Sequence, residues 1–336
     1  MATSESSDKS VEHPFREHRS GGHTSGGQPS VGHHGALVSA ESLAAELAAG
    51  ERPLLLDVRW TLQGADHDGY LEAHLPGAVF CDLDADLAAE PGEGGRHPLP
   101  SPETLDATLR RLGVRPGQPV VAYDGGAGAG AARAWWCLRW AGHHEVRVLD
   151  GGFAAWLEVG GPKAAGALTG AEAQDGAGAL IETAAPTEAG AGGPSDPAPG
   201  DLERPTIPGA RSTMPVVTAE DLLAGRADAL LDARSAERFR GEIEPVDPVA
   251  GRVPGATSCP TTALQGPDGR YLPPDQLRTL LAPLVGTGTA AAYCGSGVTA
   301  SQLVLAAHEV GIELALDPGS WSHWVRDRAR PVATGA

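Results

Sequence analysis

The chain has 336 residues, 41% of them hydrophobic, and a formal net charge of −18. The length predicts about two domains, each able to bury its own core. So acidic a chain repels phosphate backbones and anionic lipid, so the expected partners include no nucleic acid and no membrane. No apolar run approaches the roughly 20 residues of a membrane span. The N-terminus also lacks a signal-peptide-like apolar core, and together these predict a soluble, cytoplasmic protein. Cys81, Cys137, Cys259 and Cys294 are widely spaced with no CxxC pair, which argues against a disulfide framework.

Residues 1–35 are rich in Ser, Gly and His and are expected to be a disordered tail. His13, His18, His23, His33 and His34 are irregularly spaced and read as a solvated tail rather than a metal site. The segment 40–49 has helical periodicity, and LLLDVRW (54–60) reads as a buried strand. HLPGAVF (74–80) leads into a second strand, and 102–114 reads as a helix closed by Gly113. PVVAYDG (119–125) is a strand, 132–143 a helix, VRVLDGG (146–152) a strand and 153–161 a short helix. Such alternation predicts an α/β fold, with a parallel sheet flanked by helices. Residues 164–204 read as a flexible Ala/Gly/Pro-rich linker.

The second half repeats these landmarks in order. ALLDARS (229–235) answers LLLDVRW, RVPGATS (252–258) answers HLPGAVF, and AAAYCGSG (290–297) answers VVAYDGG. LALDPGSWSHWV (314–325) answers VRVLDGGFAAWL, and matching positions lie 168 to 178 residues apart. The chain therefore reads as a duplicated α/β domain, with an N-terminal copy at 36–163 and a C-terminal copy at 205–336.

The copies differ at the turn shared by VVAYDGG and AAAYCGSG, where one has Asp124 and the other Cys294. In parallel α/β folds, ligands bind beyond the carboxyl ends of strands. Gly295 and Gly297 let backbone N–H groups turn inward toward an anion. A cysteine in such a loop before a helix is expected to be a nucleophilic thiolate.

At these residues the sequence resembles the tandem-domain rhodaneses, over about 36–160 and 205–330. The motifs are DVRW (57–60), HLPGA (74–78), LDGGFAAW (149–156), DARSAERFRGE (232–242), CGSGVT (294–299) and DPGSWSHW (317–324). The resemblance implies two rhodanese-like domains, with the N-terminal one inert because Asp124 replaces the cysteine. It implies that Cys294 moves sulfane sulfur as a persulfide from a small donor to a thiol or cyanide acceptor. The acceptor would be a reduced thioredoxin-like protein or a low-molecular-weight thiol. No metal and no organic cofactor is implied.

The loop CGSGVT is of the 3-mercaptopyruvate type, with thiosulfate as the alternative donor. In that type a serine, a histidine and an aspartate form a proton relay. The resemblance assigns these to Ser296, His74 and either Asp66 or Asp68. It assigns donor binding to Arg238 and to the loop residues Gly295, Gly297, Val298 and Thr299. A second anion-binding arginine, frequent in the family, would fall near Asp247 and is missing there; Arg252 is a candidate replacement.

Three other readings compete. Gly126-x-Gly128-x-x-Ala131 after a strand resembles a dinucleotide fingerprint, but the second copy lacks that pattern. A cysteine phosphatase would need an arginine in the loop, and position 300 is Ala. A non-enzymatic sulfur carrier would share the chemistry and differ only in turnover.

Overall fold

The computed structural model describes residues 35–126, 128–168, 170 and 214–335. The expected tail at 1–34, with its histidines, and nearly all of the expected linker lie outside them. In chain order the first half comprises β1 (Leu37–Val38), α1 (Ala40–Ala48), β2 (Leu54–Asp57), β3 (Trp60–Thr61), β4 (Gly64–Ala65) and α2 (His67–Glu72). It continues with β5 (Val79–Phe80), α3 (Leu83–Asp86), α4 (Pro102–Arg111), β6 (Val120–Tyr123), α5 (Ala129–Trp140), β7 (Val146–Leu149) and α6 (Gly152–Glu158). The second half comprises α7 (Ala219–Leu223), β8 (Ala229–Asp232), α8 (Ala236–Arg240), β9 (Thr257–Ser258), a 3-10 turn (Thr261–Ala263) and α9 (Pro274–Val285). It ends with β10 (Ala290–Tyr293), α10 (Ala300–Glu309), β11 (Ala315–Leu316) and α11 (Ser320–Trp324).

Each half forms a parallel sheet. The first runs in the order β1-β7-β6-β2-β5 and the second β11-β10-β8-β9. A parallel bridge from Val216 to Leu316 extends the second sheet where β1 stands in the first. The central strands LLLD and VVAY are buried throughout, as expected when helices cover both faces. Helix α4 begins where Ser101 accepts the Thr104 amide at 3.1 Å, a cap whose loss costs about 1 kcal/mol. It closes at Gly113, whose φ is +86°. Among the described residues no helix is long and apolar enough to cross a membrane.

The strand expected over 54–60 stops at Asp57. The Arg59 guanidinium turns back to grip both Asp57 oxygens at 2.9–3.1 Å and caps the carbonyls of Gly69 and Ala73. The second half repeats this fork with Arg234 on Asp232 and on the Gly251 carbonyl. The stretch expected as loop after Trp60 holds a two-strand hairpin, β3 with β4, and the helix α2.

One apolar core passes from the first half into the second, through Trp135, Trp136 and Leu138 of α5 and Leu303, Val304 and Ala307 of α10. The Trp135 and His308 rings lie 5.2 Å apart across this junction. Two reciprocal covers complete it. The turn bridged between Gly92 and Gly95 in the first half lies on the second half's 319–323 turn; a Cβ on Gly95 would stand 2.8 Å from the Gly319 carbonyl oxygen. The hairpin bridged between Gln265 and Tyr271 in the second half lies on Gly126 of the first half; a Cβ on Gly269 would stand 3.0 Å from the Gly126 carbonyl oxygen. Each half therefore covers the corresponding loop of the other, that after β6 in the first half and that after β10 in the second.

Candidate active site

Cys294 follows β10 and is 2% exposed. The Gly297 amide donates to its sulfur at 3.2 Å. The bend that aims this amide needs Gly297, whose φ is +79° and whose added Cβ would stand 2.6 Å from the Pro318 carbonyl oxygen. From the other side, the Cys294 amide donates to Ser320 Oγ at 3.1 Å. Ser320 has a φ of +52°, alone among described non-glycine residues in being positive. That conformation costs about 1–2 kcal/mol, and two amide hydrogen bonds from Gly319 and Ser320 to Asp317 hold it. Burial pushes Asp317 up to about 6. Val298 is buried, and Thr299 leads into α10 without a side-chain cap.

The other three cysteines are buried small side chains. Burial pushes the thiols of Cys81 and Cys137 up, and that of Cys259 up to about 11. They are poor nucleophiles at neutral pH. In the first half, Asp124 holds the position of Cys294, and its own carboxylate fills the loop. It accepts from the amides of Gly126 and Gly128 at 2.9 Å, Gly130 at 3.1 Å and Ala131 at 3.4 Å. The amides that a dinucleotide pyrophosphate would need are thereby taken.

Ser296 is joined to a histidine, and that histidine is not His74. The Ser296 Oγ lies 2.7 Å from His97 Nδ1, and His97 Nε2 lies 3.0 Å from Asp84 Oδ1. Burial pushes His97 down, Arg133 and Arg96 push the same way, and Asp84 opposes them. With a neutral ring, Nε2–H donates to Asp84 and Nδ1 accepts the Ser296 proton, a tautomer inferred from the partners. The Trp60 indole also donates to Asp84 Oδ1 at 3.0 Å and packs edge-on against His97.

His74 is fully buried in its own half. Its Nδ1 lies 2.9 Å from the Tyr70 carbonyl oxygen, its ring stacks on Tyr70 at 4.3 Å, and its Nε2 has no hydrogen-bond partner. The reason is topological: HLPGA feeds β5 of its own sheet, and the crossing segment comes later. Asp66 caps α2 by accepting from the Gly69 amide at 3.0 Å, and Asp68 stands in the first turn of that helix.

Arg238 is at the site. It pairs with Glu244 at 2.6 Å and with Asp247 at 3.2 Å. The second guanidinium is Arg96, from the first half, which pairs with Asp247. A Cβ on Gly295 would stand 2.7 Å from an Arg96 nitrogen and 3.5 Å from Arg238, so both cations flank the residue after Cys294. The charge missing at position 247 is thus supplied across the junction. Arg252 does not supply it. Its described hydrogen bonds go to the carbonyls of Gly335 and Phe239, and it lies over the Phe239 ring at 4.3 Å.

Asp84, Arg96 and His97 were therefore missed in the sequence, although a signal was present. Gly95-Arg96-His97 answers Gly269-Arg270-Tyr271 in the second copy. The copies differ there by a histidine, as they differ by a cysteine at the loop that the histidine reaches.

A family model described as a rhodanese-like domain matches residues 39–159. A Mycobacterium tuberculosis protein named as a thiosulfate sulfurtransferase, SseB, is 42% identical over 306 residues, covering 89% of this chain and 97% of that protein. Human 3-mercaptopyruvate sulfurtransferase is 32% identical over 318 residues, covering 88% and 93%. The chain belongs to the rhodanese family. Among solved structures, the 3-mercaptopyruvate enzyme SseA from Escherichia coli has a TM-score of 0.65 at 28% identity, covering 86% of this chain and 99% of that one. The Leishmania major 3-mercaptopyruvate sulfurtransferase has a TM-score of 0.67 at 26% identity, covering 88% and 75%. Like these rhodanese-family relatives, the chain is a sulfurtransferase, acting between a small-molecule sulfur donor and an acceptor.

Proposed function

We propose that the chain takes sulfur from 3-mercaptopyruvate as a persulfide on Cys294 and passes it to a thiol. The observation that carries this reading is the chain of contacts from Ser296 through His97 to Asp84. The Cys294 thiolate attacks the donor sulfur, the S–C bond breaks, and its electron pair leaves as the enolate of pyruvate. That enolate needs a proton as it forms, and a hydroxyl backed by a neutral imidazole is suited to relay one. Arg96 and Arg238 flank the loop where the donor carboxylate would lie, and paired guanidiniums suit a carboxylate. Gly295, Gly297, Val298 and Thr299 form the turn around the sulfur.

The work divides between two domains, 36–163 and 205–336. The second holds the sulfur, and the first supplies His97, Asp84 and Arg96. The acceptor is a reduced thioredoxin-like protein or a low-molecular-weight thiol. The setting is the cytoplasm, where its four unpaired cysteines stay reduced.

Thiosulfate is the second reading. Two guanidiniums beside Gly295 favour a dianion, whose sulfite leaving group needs cations more than protons. Side-by-side turnover with the two donors decides. A kcat/KM higher for thiosulfate, unchanged by His97→Ala, overturns the mercaptopyruvate reading.

A further inference from the structure

Arg133 lies on α5 of the first half with 0% exposure. Its guanidinium donates to three carbonyls: Leu87 at 3.0 Å, His97 at 3.1 Å and Gly297 at 3.5 Å. The latter two belong to the residue that contacts Ser296 and the residue whose amide contacts the Cys294 sulfur. Among the described ion pairs none includes Arg133, whereas Arg59, Arg96, Arg234 and Arg238 each face a carboxylate. A guanidinium stays charged in a protein. A buried charge without a counter-charge is costly and persists where an anion arises nearby.

The duplication supplies an internal control. As Arg133 reaches from α5 to the second half's loop, Gln302 reaches from α10 to the first half's loop. A Cβ on Gly128 would stand 3.0 Å from Gln302 Nε2, and Gln302 is 3% exposed. The two side chains thus play reciprocal parts. A cation stands behind the loop that carries Cys294, and a neutral amide stands behind the loop whose anion, Asp124, is already held by four amides.

We propose that Arg133 is the built-in counter-charge of the sulfur-carrying loop, an electrostatic positioning residue that acts on Cys294 from the other half of the molecule. No described hydrogen bond joins it to the Cys294 sulfur, and the thiol it contacts is Cys137, one turn along its own helix. Arg133 favours the anionic sulfur through the low-dielectric interior, and its bonds to the His97 and Gly297 carbonyls keep relay and loop in register. The same charge disfavours protonated His97. Among the described residues, the charged groups on this side of the molecule include Arg96, Arg238, His97 and Asp317, with Asp247 and Glu244 pairing the two arginines, and each of the four has a carboxylate or amide partner.

The inference rests on Cys294 as the sulfur carrier, and its test separates the two. The rate of Cys294 alkylation by a small neutral reagent, located by peptide mass spectrometry, is measured against pH in the full chain. Three variants are compared. Arg133→Gln installs the residue of the reciprocal position, Arg133→Met removes the buried charge at similar length, and Arg133→Lys keeps the charge but loses the fork. Both neutral variants should alkylate about tenfold more slowly at pH 7, which corresponds to about 1.4 kcal/mol in ionisation. The deficit should close at high pH, where ionisation no longer depends on a nearby counter-charge. Arg133→Lys should retain most of the rate. The Met variant keeps the test open if the Gln variant does not fold, because apolar replacements of buried charge are tolerated. A folded neutral variant with the wild-type pH profile overturns the proposal. So does a deficit that persists at high pH, or one that Arg133→Lys shares in full; these mark a purely structural role. If Cys294 were not the carrier, wild-type protein loaded with donor would instead show sulfur on another cysteine.

Discussion

Ser296 and His97 are separated by 199 positions in the chain, yet their side chains stand 2.7 Å apart. The contact joins the two halves, and on the proposed mechanism it makes the first half part of the chemistry although Asp124 stands there in place of the cysteine. Replacing His97 by Ala should lower kcat with 3-mercaptopyruvate by about 10²–10⁴-fold, the usual worth of a positioned acid–base group. Asp84→Asn should cause a smaller loss in the same direction, because it removes only the orientation of the ring. Steady-state kinetics with both donors is the check, and thiosulfate turnover should fall much less.

His74 gives the opposite expectation. It is buried against Tyr70, while the described partner of Ser296 is His97, so its replacement is expected to act on stability. His74→Ala should cost about 1–3 kcal/mol of unfolding free energy and leave kcat per folded molecule near the wild-type value. Denaturant melts paired with kinetics would show it, and a selective loss of kcat in a stable variant would restore His74 to the relay.

The pH profile follows from what surrounds His97. Burial, Arg133 and Arg96 all hold it below the ordinary imidazole value of 6.5. The neutral, proton-accepting form therefore persists as pH falls through about 6.5. Turnover with 3-mercaptopyruvate should stay level from about pH 8 down to that point and fall only on its acid side. Neutralising Arg133 or Arg96 should move the acid limb upward, toward 6.5, and Asp84→Asn should move it downward. An acid limb that ignores all three changes would mean another group sets it.

The fold was legible because its signals are local. Largely apolar strands such as LLLD and VVAY, Gly113 at the end of one helix, and landmarks repeated at near-constant spacing each follow from neighbours in sequence. The loop of Cys294 and Ser296 stands out for the same reason, since it is contiguous. His97, Asp84 and Arg96 do not, because they reach the site only through a cover that crosses between halves. A motif such as HLPGA stands out in sequence, yet its histidine packs against Tyr70 in its own half. The comparison of copies that exposed Cys294 against Asp124 also exposes His97 against Tyr271, once the alignment is carried through the loops.

Asp317 offers a stability test. Its carboxyl is raised by burial to about 6 from the ordinary 3.8. A raised carboxyl means that the folded state holds the proton more tightly than the unfolded one, so stability falls as pH rises from about 4 through about 6. The full effect is on the order of 2–3 kcal/mol. Asp317→Asn keeps an acceptor for the Gly319 and Ser320 amides and cannot ionise. The variant should thus gain on the wild type as pH rises through that window, measured as the difference in melting free energy. A constant difference from pH 4 to 7 would show that Asp317 ionises normally.

The ion pair between Arg96 and Asp247 yields the last expectation. Asp247 occupies the resting site of the cation, and burial raises its carboxyl while Arg96 and Arg238 pull it down. A donor carboxylate that arrives beside Gly295 competes with Asp247 for the same guanidinium. Arg96→Ala should therefore weaken donor binding, raising KM for 3-mercaptopyruvate about tenfold or more, the worth of one charge-assisted contact. Its effect on kcat should be smaller, since the relay stays in place. Asp247→Asn should act in the other direction, by freeing Arg96 and Arg238 for the donor and lowering KM. The extra net positive charge should favour the dianion thiosulfate over the monoanion 3-mercaptopyruvate, so the ratio of the two kcat/KM values should move toward thiosulfate. The decisive case is the exchange Arg96→Asp with Asp247→Arg. It keeps the pair but takes the cation from the first half to the second, and it should recover much of the KM lost in Arg96→Ala. If the exchanged pair binds donor no better than Arg96→Ala, position 96 matters for more than its charge.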